Sequence, residues 1–323
     1  MPYALGGPRL HYGRRGNPDG EPLLWITGFT ISAAVFDPVL PLYADRFDCV
    51  TYDNRGAGRS AAPLKPVSIP ELAGDAVRVL DAAGLPSAHV YGLSMGGMIA
   101  QEMAIRFPER VRGLILGGST PGGPRAVRPS KRELVALGRG VVGAHRGPDR
   151  AWLAALLFSD EFRREHPDRV RALLPHFAAH RSQLHGRAGH LLATIYHDTV
   201  SRLEHIQAPT LVFHGGADAM APLANAHLLT ERIPDAELAV VEGAGHAYLL
   251  EQPERSRDVF FDWLDRRGPI RAGSPHPWVI RQMEPVTRAF GLPVGAMRTG
   301  LSLIEHAAER RGGRPRPPGT PSG

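Results

Sequence analysis

The chain contains one cysteine, Cys49, in 323 residues. A single thiol cannot close a disulfide within the chain. Its setting, the apolar run Phe47-Asp48-Cys49-Val50-Thr51-Tyr52, reads as a core strand and not as a metal or nucleophile site; a reducing compartment is permitted. Lysine is almost missing, since only Lys65 and Lys131 interrupt an otherwise all-arginine complement of basic side chains, a bias that reads as genome composition more than function. No segment approaches the roughly 18 apolar residues of a membrane helix. The first residues, Met1 to Pro8, lack the apolar centre of a secretory signal, so the expected location is cytoplasmic with no integral membrane segment. The net charge of +6 is local: residues 268–323 hold eight Arg against three Glu, a difference of +5, which leaves the body nearly neutral. A positive charge confined to one end lacks the continuous basic face of a nucleic-acid groove, and no nucleic-acid partner is expected.

What is present is a regular alternation. Apolar, β-prone runs at 23–26, 47–52 and 114–116, and those that open the segments 89–100, 209–218 and 237–246, alternate with segments of helical spacing, which predicts a mostly parallel sheet covered on both faces. A short strand near 9–12 precedes a turn at Gly16-Asn17-Pro18-Asp19-Gly20, and a helix is expected over 36–44. In the segment 69–81, Leu72, Ala76, Val79 and Leu80 share one helical face, Ser68 is the N-cap and Pro70 lies in the first turn. The last core helix is expected over 255–266.

Three segments carry chemistry. His89-Val90-Tyr91-Gly92-Leu93-Ser94-Met95-Gly96-Gly97 passes from a strand through Gly-x-Ser-x-Gly into a helix, the context in which a serine sits on a strained strand-to-helix turn; Ser94 is the candidate nucleophile. A hydroxyl needs a base, and the base needs a carboxylate to fix its tautomer. Asp218 follows the run Leu211-Val212-Phe213-His214-Gly215-Gly216-Ala217, and His246 follows Val240-Val241-Glu242-Gly243-Ala244-Gly245. Both lie just past strand ends, where open α/β sheets bind ligands. An ordinary turn competes with the nucleophile reading of Ser94, and an Asx turn with the acid reading of Asp218. His214 precedes the acid and is expected to pack or to line the sheet edge.

Taken together these segments resemble the α/β-hydrolase superfamily over residues 8–266. Gly92-Leu93-Ser94-Met95-Gly96-Gly97 is similar to its nucleophile turn. Asp53-Asn54-Arg55-Gly56-Ala57-Gly58-Arg59-Ser60 resembles its Asp-x-Arg-Gly-x-Gly-x-Ser loop, for which Asp53 and Arg55 carry a structural reading. The acid and histidine loops match in order. The resemblance implies an oxyanion hole from the backbone N–H groups of Phe29 and Met95, with the Phe29 ring near the acyl pocket. The family's usual His-Gly after the first core strand is here Thr27-Gly28, which retains both amides.

The resemblance also implies a core of residues 1–120 and 206–267 with a helical cap inserted at 121–205, and composition adds a Pro/Gly/Arg-rich extension at 268–323 that is expected to be partly disordered. Helices are expected at 131–142, 150–158 and 170–181 in the insertion, and at 278–290 and 297–309 in the extension. His176, His180, Arg181, His185, Arg187 and His190 are irregularly spaced and lack accompanying carboxylates or cysteines, so most of them read as solvated helix faces, with a carboxylate-recognising arginine as the alternative; neither metal nor cofactor is expected.

The implied function is hydrolysis of a small carboxylic ester or lactone through an acyl-enzyme. Related alternatives on the same residues are a cofactor-free haloperoxidase or perhydrolase, or a C–C bond hydrolase. A ligand-binding receptor without turnover is the alternative of another class. The expected partner is a small-molecule substrate, and homo-oligomerisation stays open.

Overall fold

The computed structural model describes residues 2–62, 64–142, 151–177, 182–270 and 272. The strands in chain order are β1 (Tyr3–Ala4), β2 (Leu10–Gly16), β3 (Glu21–Ile26), β4 (Phe47–Tyr52), β5 (Ala88–Leu93), β6 (Val111–Gly117), β7 (Thr210–Gly215) and β8 (Ala236–Val241). They form one sheet in the order β1-β2-β4-β3-β5-β6-β7-β8. β1 and β2 pair antiparallel at one side, and every pairing from β4 to β8 is parallel.

Parallel strands need crossovers, and helices provide them on both faces. These are α1 (Ile69–Ala82), α2 (Met95–Arg106), then α3 (Lys131–Val142), α4 (Ala151–Leu157), α5 (Asp160–Glu165), α6 (Pro167–Phe177) and α7 (Leu184–Ile195) between β6 and β7, followed by α8 (Leu223–Arg232), α9 (Tyr248–Glu251) and α10 (Pro253–Arg267). Successive strand side chains point to opposite faces, so the central strands must be apolar at every position. In β3, Leu24 and Ile26 join a core with α1, α2 and α8, whereas Leu23 and Trp25 join one with α9, α10 and α4 to α6. Trp25 stacks on Tyr91 at 4.6 Å and meets Tyr43 edge-on at 4.9 Å. Each such large apolar side chain, fully buried, contributes about 1.5–3 kcal/mol.

Local chemistry fixes the ends. α1 begins in a capping box: Ser68 Oγ accepts from the Glu71 N–H, and Glu71 Oε2 accepts from the Ser68 N–H at 2.9 Å. The helix expected over 36–44 is absent; two 3-10 turns, Ala33–Phe36 and Leu40–Leu42, stand there instead. Pro38 and Pro41 have no N–H to extend an α-helical ladder, so the chain closes i→i+3 bonds such as Val39 N–H to Phe36 C=O at 2.9 Å.

Between β6 and β7 the expected helices at 131–142 and 150–158 are found, the latter as α4, and α6 covers the first part of 170–181. α5 and α7 stand in addition to the expected helices. Residues 178–181, including His180 and Arg181, and the extension beyond 272 with its two expected helices lie outside the described residues. Among the described residues no helix is long and apolar enough to cross a membrane.

Candidate active site

β5 delivers Ser94 to the start of α2 with φ 59° and ψ −120°. Among the described residues only Thr30 and Ser94 are non-glycine residues with positive φ. Such a conformation costs about 1–3 kcal/mol and persists only where the surroundings over-determine it. Here the Ser94 N–H donates to Gly117 C=O at 2.7 Å, and the Ser94 C=O accepts from Gly97 N–H and from Ser119 Oγ, both at 2.9 Å. Gly96 is obligatory at the turn because a Cβ there would run into the backbone carbonyls of Ile26 and Thr27. The strain lifts the serine side chain off both the sheet and the helix, and it is half-buried.

Asp218 and His246 meet above the ends of β7 and β8. His246 Nδ1–H donates to Asp218 Oδ2 at 2.8 Å, with both side chains almost fully buried. Asp218 Oδ1 accepts the N–H groups of Met220 and Ala221, each at 2.8 Å. The Asx-turn geometry that competed with the acid reading is thus present, and it is what aims the second oxygen at the imidazole. Two backbone bonds register the loops on each other, Gly216 N–H to Val241 C=O at 2.9 Å and Ala217 N–H to Ala244 C=O at 2.8 Å. With Nδ1 carrying the proton, Nε2 keeps a free lone pair and can serve as a base. Gly118 joins the two halves: its neighbour Gly117 holds Ser94, and a Cβ at Gly118 would stand 3.3 Å from both Asp218 Oδ2 and His246 Nδ1. His214 is fully buried on the interior strand β7, not at an edge, and donates to Ala221 C=O at 2.6 Å; burial lowers its pKa.

Phe29 and Met95 flank the same place, since Phe29 precedes strained Thr30 and Met95 follows strained Ser94. Among the described residues neither amide N–H is bonded to a protein acceptor. Met95 is the first residue of α2, whose N–H has no acceptor within the helix. A Cβ at Gly28 would lie 3.2 Å from Ser94 Cβ, so the loop after β3 runs against the serine. Thr27 is buried, and its C=O and Oγ1 both accept from Asn54 Nδ2, at 3.0 and 3.2 Å. The Phe29 ring lies edge-on to His190 with centroids 6.1 Å apart.

Three of the histidines read as solvated helix faces, His176, His185 and His190, are instead bonded to loops of the sheet. His190 is fully buried: Thr30 N–H donates to Nδ1 at 3.1 Å and Nε2–H donates to Arg55 C=O at 2.7 Å. His176 Nδ1–H donates to Ala34 C=O at 3.1 Å, and His185 Nε2–H to Ala62 C=O at 2.6 Å. The imidazoles of α6 and α7 thus donate to loop carbonyls outside the strands, of which Ala34 C=O also accepts from Asp37 N–H at 3.2 Å. Their irregular spacing reflects three separate targets.

A second tie is Glu251, whose carboxylate accepts from Ser159 N–H at 2.8 Å, Ser159 Oγ at 2.9 Å and Gly245 N–H at 3.0 Å; burial raises its pKa. The loop containing Asp53 and Arg55 is structural as read. Asp53 accepts from Ala33 and Arg59 N–H at 2.7 and 2.8 Å, and Arg55 forks onto Asp75 at 2.5 and 2.6 Å. Among the described residues no group of three His, Cys, Asp or Glu is arranged to hold a metal ion.

Comparison with known proteins adds three likenesses. Residues 21–253 match the family described as alpha/beta hydrolase fold. A protein of Azorhizobium caulinodans with the provisional name carbamate hydrolase RutD is 36% identical over 276 residues, covering 82% of this chain and 97% of its own length. The 3-oxoadipate enol-lactonase 2 of Acinetobacter baylyi is 27% identical, covering 76% and 89%. The crystal structure of the enol-lactonase from Burkholderia xenovorans LB400 superposes with a TM-score of 0.70 at 24% identity, over 82% of this chain and all of that one.

Proposed function

Because this chain belongs to the α/β-hydrolase fold family, we propose that it is a serine hydrolase cleaving a small carboxylic ester or lactone through an acyl-enzyme. Ser94 is the nucleophile, His246 its general base, Asp218 the group that fixes the imidazole, and the N–H groups of Phe29 and Met95 form the oxyanion hole. The observation that carries this reading is the 2.8 Å bond from His246 Nδ1 to Asp218 beside a serine at φ 59°.

In the first half-reaction His246 Nε2 takes the Ser94 hydroxyl proton as Oγ bonds to the carbonyl carbon. The carbonyl π pair moves onto oxygen, which the two backbone donors receive. Collapse expels the alkoxide, which takes its proton from His246. Water then repeats the sequence, activated by the same imidazole, and the acid leaves with Ser94 restored. Preorganised backbone donors favour the tetrahedral oxyanion over the planar ester, and removal of one such donor typically costs about 10²–10³ in kcat. Neither metal nor organic cofactor enters this scheme.

The substrate class follows from the chemistry and from the names of the relatives. An ester, an enol-lactone and a carbamate all present a carbonyl with an attached leaving group, so one site can act on any of them. In this reading residues 121–205 form a cap over a core of 1–120 and 206–267, and the cap selects the acyl and leaving groups.

Labelling with a fluorophosphonate followed by intact-mass measurement tests the proposal. Wild type is expected to gain one adduct and to turn over short p-nitrophenyl esters, and Ser94→Ala to do neither while keeping its fold. Equal turnover by Ser94→Ala would overturn the mechanism. Absence of adduct and turnover in folded wild type would favour a non-catalytic binder.

A further inference from the structure

The left-handed residue Thr30 follows one of the two amides assigned to the oxyanion hole, and the side chain that holds it comes from α7, outside the sheet. We propose that His190 is a positioning residue for the reaction: its neutral, Nε2-protonated imidazole holds the Thr30 N–H, which fixes the Phe29–Thr30 peptide and, through the Phe29 backbone, the turn on which the preceding Phe29 N–H is set towards the developing oxyanion. The proposal rests on the oxyanion-hole reading above.

Four observations carry it. First, the two ring bonds assign the tautomer. The Arg55 C=O can only accept, so Nε2 carries the proton, and Nδ1 has only its lone pair to offer the Thr30 N–H. A protonated ring could not accept that bond, so the clamp exists only in the neutral form. Second, the ring is fully buried, and desolvation lowers its pKa to about 4, so the neutral form prevails at physiological pH. Third, the far end of the clamp is rigid. Arg55 is forked onto Asp75, and its neighbour Gly56 packs directly on the Gly186 backbone of α7, where an added Cβ would overlap the Gly56 carbonyl. Fourth, the near end needs restraint. A threonine with φ 59° reverts to a commoner conformation unless held, and that reversion would rotate the adjoining peptide. A misplacement of about 1 Å in such a group can cost on the order of a hundredfold in rate.

The test compares His190→Phe, which keeps a ring but neither bond, with His190→Asn, whose Oδ1 stands the same number of bonds from the backbone as Nδ1 and can still accept from Thr30. Fluorophosphonate titration counts competent sites, so that kcat is expressed per site and loss of folded protein does not enter. Phe at position 190 is expected to lower kcat per site at least tenfold with KM within about twofold. Its affinity for phenylboronic acid, whose serine adduct places an oxygen in the hole, should fall in parallel. Asn is expected to recover most of both, because it retains the Thr30 bond.

Unchanged kcat per site in His190→Phe overturns the proposal. So does an equal loss in both variants while the Thr30 amide of His190→Asn stays protected from hydrogen exchange. If His190→Phe does not fold, exchange at Thr30 in wild type decides: protection beyond that of neighbouring loop amides supports the clamp, and free exchange overturns it. Turnover by Ser94→Ala in the same assay would instead remove the underlying reading.

Discussion

The Asp218 carboxylate divides its work between two oxygens, Oδ1 on two backbone N–H groups and Oδ2 on His246. Asp218→Asn keeps the first set of contacts only with its Nδ2 amide donor facing Nδ1, which favours the wrong tautomer. kcat on a p-nitrophenyl ester is expected to fall by about 10⁴ with little change in unfolding midpoint, by the logic of serine–histidine–aspartate sites. A loss under tenfold would separate Asp218 from the chemistry. Ser94, Asp218 and His246 stand out as candidates in the sequence because each stands in a glycine-containing loop just after an apolar run, a pattern that local sequence carries by itself. His190 does not. A histidine within Leu184–Ile195 has no local mark that its partners lie at Thr30 and Arg55, 160 and 135 residues earlier. The loop that has Thr27 where the resemblance leads one to look for a histidine does receive an imidazole, from another element.

At the scale of elements, the helices between β6 and β7 are fastened to the site loops at separate points. His190 reaches the loop after β3, and Glu251 bridges Ser159, the N-cap of α5, to Gly245 beside His246. Ala247 N–H adds a bond to Leu157 C=O at 2.7 Å, so the residues on both sides of His246 are held from this segment. Glu251→Ala would leave three donors without their acceptor in a buried place. It is expected to cost about 2–4 kcal/mol in urea unfolding, whereas Glu251→Gln, which keeps an acceptor oxygen, should lose less. Equal stability of wild type and Glu251→Ala would show that water replaces the carboxylate without cost. Sequence periodicity marks α1 and α3 because their apolar faces are regular, whereas α2, buried on every side from Met95 to Ala104, is marked by the Gly-x-Ser-x-Gly turn before it. α7 contains Gly186 and Gly189, which weaken a helical pattern; Gly186 is small where the helix backbone meets the Gly56 loop. The helix expected over 36–44 gives way to 3-10 turns because Pro38 and Pro41 interrupt it.

For the molecule as a whole, the parallel sheet was legible because strand and helix patterns alternate, while the antiparallel two-residue β1 is too short to leave a pattern. Stability as a global quantity should depend on two buried histidines. Burial lowers His190 and His197 from the ordinary 6.5 to about 4. The unfolded chain therefore takes up protons near pH 6.5 that the folded chain accepts only near 4, so stability is complete above 6.5 and declines as pH falls towards 4. The slope is about 1.4 kcal/mol per pH unit for each histidine, or roughly 3 kcal/mol each over the window. Urea unfolding at pH 7.5 and 4.5 measures it. His197→Phe, which removes a ring whose nitrogens have no partner among the described residues, should be less sensitive to acid than wild type, and an identical pH response would count against the assignment. The lone cysteine offers a way to watch the same opening from inside. Cys49 sits on β4 in the middle of the sheet, 1% exposed, with its thiol raised to about 11 by burial. A maleimide added to native protein at pH 8 has no other thiol to find and meets almost no thiolate until the sheet itself parts. Its rate of attachment is thus a one-site clock for global opening, available in the natural chain without introducing a probe.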